Sequence, residues 1–398
     1  MKKIIYILSV VGLSTFVSAQ TAQEVTSIQQ VLQLIEANSK ELQANNQLMT
    51  SQKLEAKAEN NLPDPSVNYS HQYGNKSGMG FEGELEATQS FDFPTVYYQR
   101  NKLSKIKAEN LDQQQAELRQ QVLLNAKEIC LDLILLKQQN QLLNDRLTNA
   151  ERLSESYARR LETGDANILE TNKIDLELLN VKTEVRRNNA AILQKQKELT
   201  ALNGGEEINF TQSSYIDREE VPSFDELISE VQTYDPQLLV LKSEQSAAER
   251  NISVNKSQWL PELELGYRLN TATGGERFNG FIVGMSIPLF SNRHNVNKAK
   301  AEKLYSSLKY EDTYTKVEND LYQLYNQSMS LKESMNEYDK LLKNQNNISL
   351  LNRALEAGQI SIIEYFVEVT SLYDSMENFM QVESDYQKAI AQLLKHRL

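Results

Sequence analysis

Neither glycine nor proline occurs between Thr95 and Glu162. A stretch of that length without a helix breaker predicts one helix, roughly 100 Å long. Leu118, Val122, Ile129, Leu133, Leu136, Leu143 and Leu147 recur along it in steps of three, four and seven, which draws one apolar stripe down its side. Such a stripe can be buried only against partners that together match its length. A second breaker-free stretch, Asn292 to Glu356, makes the same demand.

The chain states its plan twice. Leu161-Glu162-Thr163-Gly164-Asp165-Ala166-Asn167-Ile168-Leu169-Glu170 returns as Leu355-Glu356-Ala357-Gly358-Gln359-Ile360-Ser361-Ile362-Ile363-Glu364. Leu62-Pro63-Asp64 returns as Leu260-Pro261-Glu262, and Val25-x-Ser27 as Val221-x-Ser223. These matches share an offset of about 195 residues, so the fold is expected to contain an internal duplication. The first unit, 20–205, reads as a helix, a β-hairpin over 66–93, a long helix over 95–163 and a helix over 166–202. Residues 206–222 connect it to the second unit, 223–398. That unit repeats the order: a helix over about 224–257, a hairpin over 262–290, a long helix over 292–357 and a helix over 360–395. Laid end to end, the helices at 166–202 and 224–257 nearly equal one long helix. Each long helix is therefore expected to pair antiparallel with two short ones stacked coaxially.

The hairpins carry the second argument. Phe81, Gly83, Leu85, Ala87, Gln89, Phe91 and Phe93 alternate with Glu82, Glu84, Glu86, Thr88, Ser90 and Asp92. Period two of that regularity predicts a strand with one apolar and one acidic face. Val67, Tyr69, His71 and Tyr73 take one parity of the strand before it. In the second hairpin Leu263, Leu265, Tyr267 and Leu269 alternate with Glu264, Gly266, Arg268 and Asn270. Its return strand sets Phe281, Val283, Met285, Ile287 and Leu289 on one face, with Ile282 breaking the polar side. Both hairpins fall at one end of the helical rod. A sheet of four strands cannot stand open in lipid, and it is too small to close on itself. Three copies supply twelve strands, an even number within the range of bacterial barrels. On this reading Phe81, Leu85, Phe91, Leu265, Tyr267, Phe281 and Val283 face lipid, while Glu82, Glu84, Glu86, Glu264 and Arg268 line a water-filled lumen.

Composition narrows the function classes. A net charge of −12 argues against nucleic-acid binding, which leaves a basic footprint. Residues 1–19 read as a secretory signal, with Lys2 and Lys3, an apolar run from Ile4 to Val17, and the small residues Val17-Ser18-Ala19 at the cleavage site. The single cysteine, Cys130, cannot form an internal disulfide. His71, His294 and His396 are far apart in the chain, and no HExxH, GxSxG or Walker A pattern occurs. The sequence therefore offers no catalytic, cofactor or metal site, and an enzyme is not expected.

With its duplication, its proline stop before each hairpin and its two Leu-Glu-x-Gly turns followed six residues later by an acid, the mature chain resembles the TolC-type outer-membrane efflux proteins. The resemblance covers essentially its whole length. It implies a mostly α fold with a small β part: a long antiparallel α-helical barrel carrying a 12-strand trimeric transmembrane β-barrel. It implies an exit duct in the cell outer membrane that projects into the periplasm. Its partners would be outer membrane lipid, a periplasmic adaptor and an inner-membrane pump of the RND type. Gly164 and Gly358 match the family's turn glycines, and Glu170 and Glu364 its acidic tip positions. Asp165 and Gln359 fall beside those glycines, where the adaptor is met. Leu161 and Leu355 depart from the aromatic often found three residues before each glycine. Ile360 stands where some members carry a gating arginine, so a tip held by other contacts is expected. The short length and the Leu62-Pro63-Asp64-Pro65 stretch are similar to the heavy-metal-cation branch, and metal cations or drugs are the implied cargo. The outlet of a type I protein secretion system, and a periplasmic coiled-coil scaffold, are the alternative readings.

Overall fold

The computed structural model describes residues 23–215, 221–342 and 347–398; the segment read as a signal lies outside them. With elements numbered in chain order, the first unit is β1 (Gln23–Val25), α1 (Ile28–Asn38), α2 (Lys40–Ala58), β2 (Ser66–Tyr73), β3 (Phe81–Phe91), α3 (Pro94–Thr163) and α4 (Ile168–Leu202). β4 (Ile208–Phe210) lies in the connection. The second unit is α5 (Phe224–Tyr234), α6 (Pro236–Ser257), β5 (Glu262–Ala272), β6 (Arg277–Ser286), α7 (Asn295–Leu342), α8 (Asn347–Glu356) and α9 (Ile362–Leu393).

α3 is one helix of 70 residues, roughly 105 Å at the α-helical rise. Pro94 occupies its first turn, where a missing N–H costs nothing. From the sheet outward, α3 meets the C-terminal cap of α2 through the Lys107–Glu59 ion pair and α6 through Asn110, which donates to the Val240 carbonyl at 2.9 Å. Farther along it packs on α4, where Asn188 donates to the Leu136 carbonyl, and finally on α9. The coaxial pairing of short helices against the long one is present along α3.

Burial is divided into three clusters along the rod rather than one core. Val31 and Ile35 of α1, Leu133 and Ile134 of α3, Leu199, Ile208 and Phe210 form the central one. β1 pairs in parallel with β4 across it, holding the start of the first unit to the connection. Those short strands carry too little periodicity to be visible in sequence. Leu227, Leu238, Leu321, Met335, Tyr386, Ile390 and Leu393 form a second cluster from the other unit. A third, around Tyr157, Ile174, Leu355, Tyr365 and Val369, lies toward the glycine turns.

Two expected helices are each broken once. The first breaks at Ser39 (φ −56°, ψ 117°) and the second at Asp235 (φ −68°, ψ 119°). Proline at 236 pushes the residue before it out of the helical region, and the Asp235 side chain then caps the new helix by accepting from the Gln237 amide at 3.0 Å. Ser39 does the same for Leu42. The two breaks share the repeat offset, and so do the caps Ser27 and Ser223, which explains the recurring Val-x-Ser. α7 begins at Asn295 rather than 292, after an irregular segment in which His294 has φ 71°. The expected continuity from α7 to α8 falls on 343–346, outside the described residues.

Asp235 is buried, so Asp235→Ala is expected to cost about 1 kcal/mol in urea unfolding, with Asp235→Ser recovering most of it. Equal losses in both variants would show that the cap is not what the carboxylate supplies.

Candidate functional site

At one end of the rod β2, β3, β5 and β6 form an antiparallel sheet in the order β2-β3-β5-β6. Among the described residues β2 and β6 each pair on one side only. Register places Glu86 opposite Arg268 and Ser90 opposite Glu264. Glu82, Glu84, Glu86, Glu264 and Arg268 therefore share one face. Tyr267 lies opposite Ala87 and Phe281, and Leu265 opposite Gln89 and Val283. Phe81, Leu85, Phe91, Leu265, Tyr267, Phe281 and Val283 accordingly share the other face, joined by Tyr69 and Tyr73.

That apolar face is uncovered. Phe281 is 88% exposed and Val283 80%, values that no water-facing sheet surface of this extent sustains without a covering partner. On the acidic face Arg268 reaches Glu84 at 2.7 Å and Glu86 at 2.6 Å. One guanidinium thus offsets two of the carboxylates, and Glu82 and Glu264 stand outside the clamp. Ile282 and Phe278 also lie on this face, opposite Gly266 and Asn270.

At the far end of the rod the chain turns at Gly164 (φ 82°) and Gly358 (φ 68°). The left-handed conformation lets the next amides turn back into the helix, as in helix C-terminal motifs. Asp165 N donates to the Arg160 carbonyl at 2.7 Å, and Gln359 N to the Ala354 carbonyl at 2.8 Å. The two acids have a local task. Glu170 accepts from the Asn167 amide at 2.9 Å and Glu364 from the Ser361 amide at 2.8 Å, each closing a capping box at the start of the returning helix. Asp165 Oδ2 accepts from the Thr163 hydroxyl, and Gln359 is exposed.

A family model described as outer membrane efflux protein matches residues 227–396, a span holding the second hairpin and the second glycine turn. The Vibrio cholerae outer membrane protein TolC is 26% identical over 187 residues, 43% of this chain and 42% of that protein. The chain thus aligns with less than half the length of that curated relative. Among solved structures, CusC (16% identity, TM-score 0.76) is matched over 93% of this chain and 91% of its own. VceC of Vibrio cholerae (12% identity, TM-score 0.75) is matched over 93% and 95%. Residues 227–396 thus match the outer membrane efflux protein family, and over 93% of its length the chain shares the fold of CusC and VceC.

The chain joins its two units near the turns by contacts that the sequence did not single out. Tyr365 is fully buried; its hydroxyl accepts from Asn149 Nδ2 at 2.6 Å and donates to Asn352 Oδ1 at 2.8 Å. Arg152 of α3 ion-pairs with Glu356 of α8. Arg146 pairs with Glu177 and Glu184 and lies over the Tyr373 ring at 5.4 Å. Burial pushes the Tyr373 phenol up to about 12, so it stays protonated at neutral pH. Ile360 packs on the apolar cluster that includes Leu355. The signal for this network was the spacing of Ile362, Tyr365, Val369 and Tyr373, which puts two hydroxyl-bearing rings on the buried stripe of α9.

Tyr365→Phe leaves Asn149 and Asn352 without their shared partner and is expected to cost about 1–3 kcal/mol, read as faster hydrogen exchange in α8 and α9 with the central and second clusters unchanged. Unchanged exchange there would remove the network from the account. The backbone hydrogen bond from Ser361 holds the Glu364 carboxyl below its ordinary value of 4.5. A lowered value means that the cap is complete above pH 4.5 and is lost as pH falls through the folded value. The Ser361 amide should lose exchange protection over that acid range, and Glu364→Gln should abolish the pH dependence.

Proposed function

We propose that this chain forms a homotrimeric exit duct in the outer membrane, passive in itself and served by an inner-membrane pump through a periplasmic adaptor. The observation that carries this reading is the open sheet, with two free edges and a bare apolar face at the end of a rod roughly 100 Å long. Three copies joined edge to edge close twelve strands, bury every free edge and turn the aromatic and aliphatic face to lipid. The faces assigned from sequence then become lipid surface and lumen as expected. Glu82 and Glu264, outside the Arg268 clamp, leave the lumen negative, which favours cations among the proposed cargo of metal cations or drugs.

The rod, with the turns at Gly164 and Gly358 at its tip, projects into the periplasm. Asp165 and Gln359 are presented there to the adaptor, while Glu170 and Glu364 keep the turns in shape. The tip opens by separating α3 and α4 from α8 and α9, which requires release of the Tyr365 and Arg152 contacts. No chemistry is performed on the cargo. The scaffold alternative leaves the apolar face without a purpose.

Val283→Lys tests the reading. A lysine on the lipid face near mid-membrane is disfavoured by about 2–4 kcal/mol, so the variant should be depleted from outer-membrane fractions and cells should lose export. Asn270→Lys, on the lumen face, should insert normally. A Val283→Lys protein that is abundant and competent in export would refute the membrane placement.

A further inference from the structure

Toward its end away from the helices, one rung inside the aromatic pair Tyr73 and Phe81, the apolar face carries a basic rung. His71 lies opposite Gly83, Gly83 opposite Thr271, and Thr271 opposite Arg277. By parity with Leu85, Leu269 and Val283, these residues belong to the apolar face. The rung of Phe91, Leu263 and Met285 marks the helix-proximal border of that face. Along β5 the two rungs are separated by about 26 Å of strand, or about 20 Å of height at the tilt of a membrane barrel. That height approaches the apolar band of an outer-membrane barrel, about 25 Å. Arg277 and His71 therefore stand just inside the aromatic outer border of the band, within side-chain reach of the lipid headgroups.

We propose that Arg277 and His71 form a binding site for the phosphate of an anionic membrane lipid. The inference rests on the trimeric barrel reading, in which β6 of one copy pairs with β2 of the next. That closure brings Arg277 and His71, at opposite edges of one sheet, to a single seam, so that each barrel carries three such sites. Arg277 is exposed and, among the described residues, makes no ion pair. Its guanidinium is free to fork onto two phosphate oxygens, a geometry that favours arginine over lysine. Arg268, on the lumen face, is already engaged by Glu84 and Glu86.

His71 is prepared as the second donor. Its ring is stacked on Phe81 at 4.8 Å and edge-on to Tyr73 at 4.6 Å, which fixes its plane. The Tyr69 hydroxyl lies 3.1 Å from Nδ1. With that hydroxyl donating, the neutral ring keeps its proton on Nε2 and offers an N–H to a phosphate oxygen. The carboxylates of the sheet lie on the opposite face and do not compete for these donors.

The test uses the full-length protein inserted into vesicles of equal parts phosphatidylglycerol and phosphatidylcholine, re-extracted in mild detergent, with co-purifying lipid measured by mass spectrometry. Wild type should enrich phosphatidylglycerol. Arg277→Gln should lower the enrichment about fivefold, the weight of one arginine at an anionic surface, with Arg277→Lys intermediate and His71→Gln showing a smaller loss. Unchanged enrichment in an Arg277→Gln trimer that inserts normally overturns the proposal and leaves the duct standing. Failure of the wild type to enter vesicles overturns both.

Discussion

A four-stranded antiparallel sheet with one bare apolar face and two unpaired edges has no stable existence alone in either water or lipid. In water the exposed Phe281, Val283, Tyr69 and Tyr73 are a liability, and in lipid the unpaired backbone groups of β2 and β6 are worse. The proposed closure with further copies answers both at once. It also sets the geometry of everything below the sheet. Each hairpin leaves one helix and enters another, so the sheet fixes one end of four helices, and α3 carries that placement roughly 100 Å to the other end.

The rod is stabilised unevenly, and the unevenness follows its proposed task. Two apolar clusters near the middle fasten both units, with the β1–β4 pair tying the start of the chain to the connection. Near the glycine turns the units meet through a smaller cluster and a few polar contacts: Tyr365 with Asn149 and Asn352, and Arg152 with Glu356. The exposed Arg152–Glu356 pair costs little to break, and the buried Tyr365 hydroxyl can trade its two partners for water when the helices part. In the proposed duct the turn end is the part that moves, and the capping boxes of Glu170 and Glu364 would keep each helix start intact as it does.

What was legible in sequence was whatever repeats or alternates. The gap in breakers gave α3, period two gave the sheet faces, and the twofold Leu-Glu-x-Gly gave both turns. All twelve strand residues assigned to lumen or lipid fall on the two faces as grouped, because parity leaves a strand no other choice. Less legible were features decided by one residue. Pro236 signals a break that the surrounding helical pattern masks, and Ser39 breaks the matching helix with no proline at all. Glu170 and Glu364 were visible as acids at matched positions, yet their role as helix caps depends on a hydrogen bond three residues back. Tyr365 was hidden because its partners come from α3 and α8, far away in the chain, and no periodicity reports a contact of that range.

The most direct test of the account is the mass of the protein extracted from outer-membrane fractions, by light scattering with the detergent contribution subtracted. The account predicts the mass of three chains, in a particle that requires detergent to stay in solution. A single chain or a pair, soluble without detergent, would contradict it and leave the open sheet to be explained by some other covering.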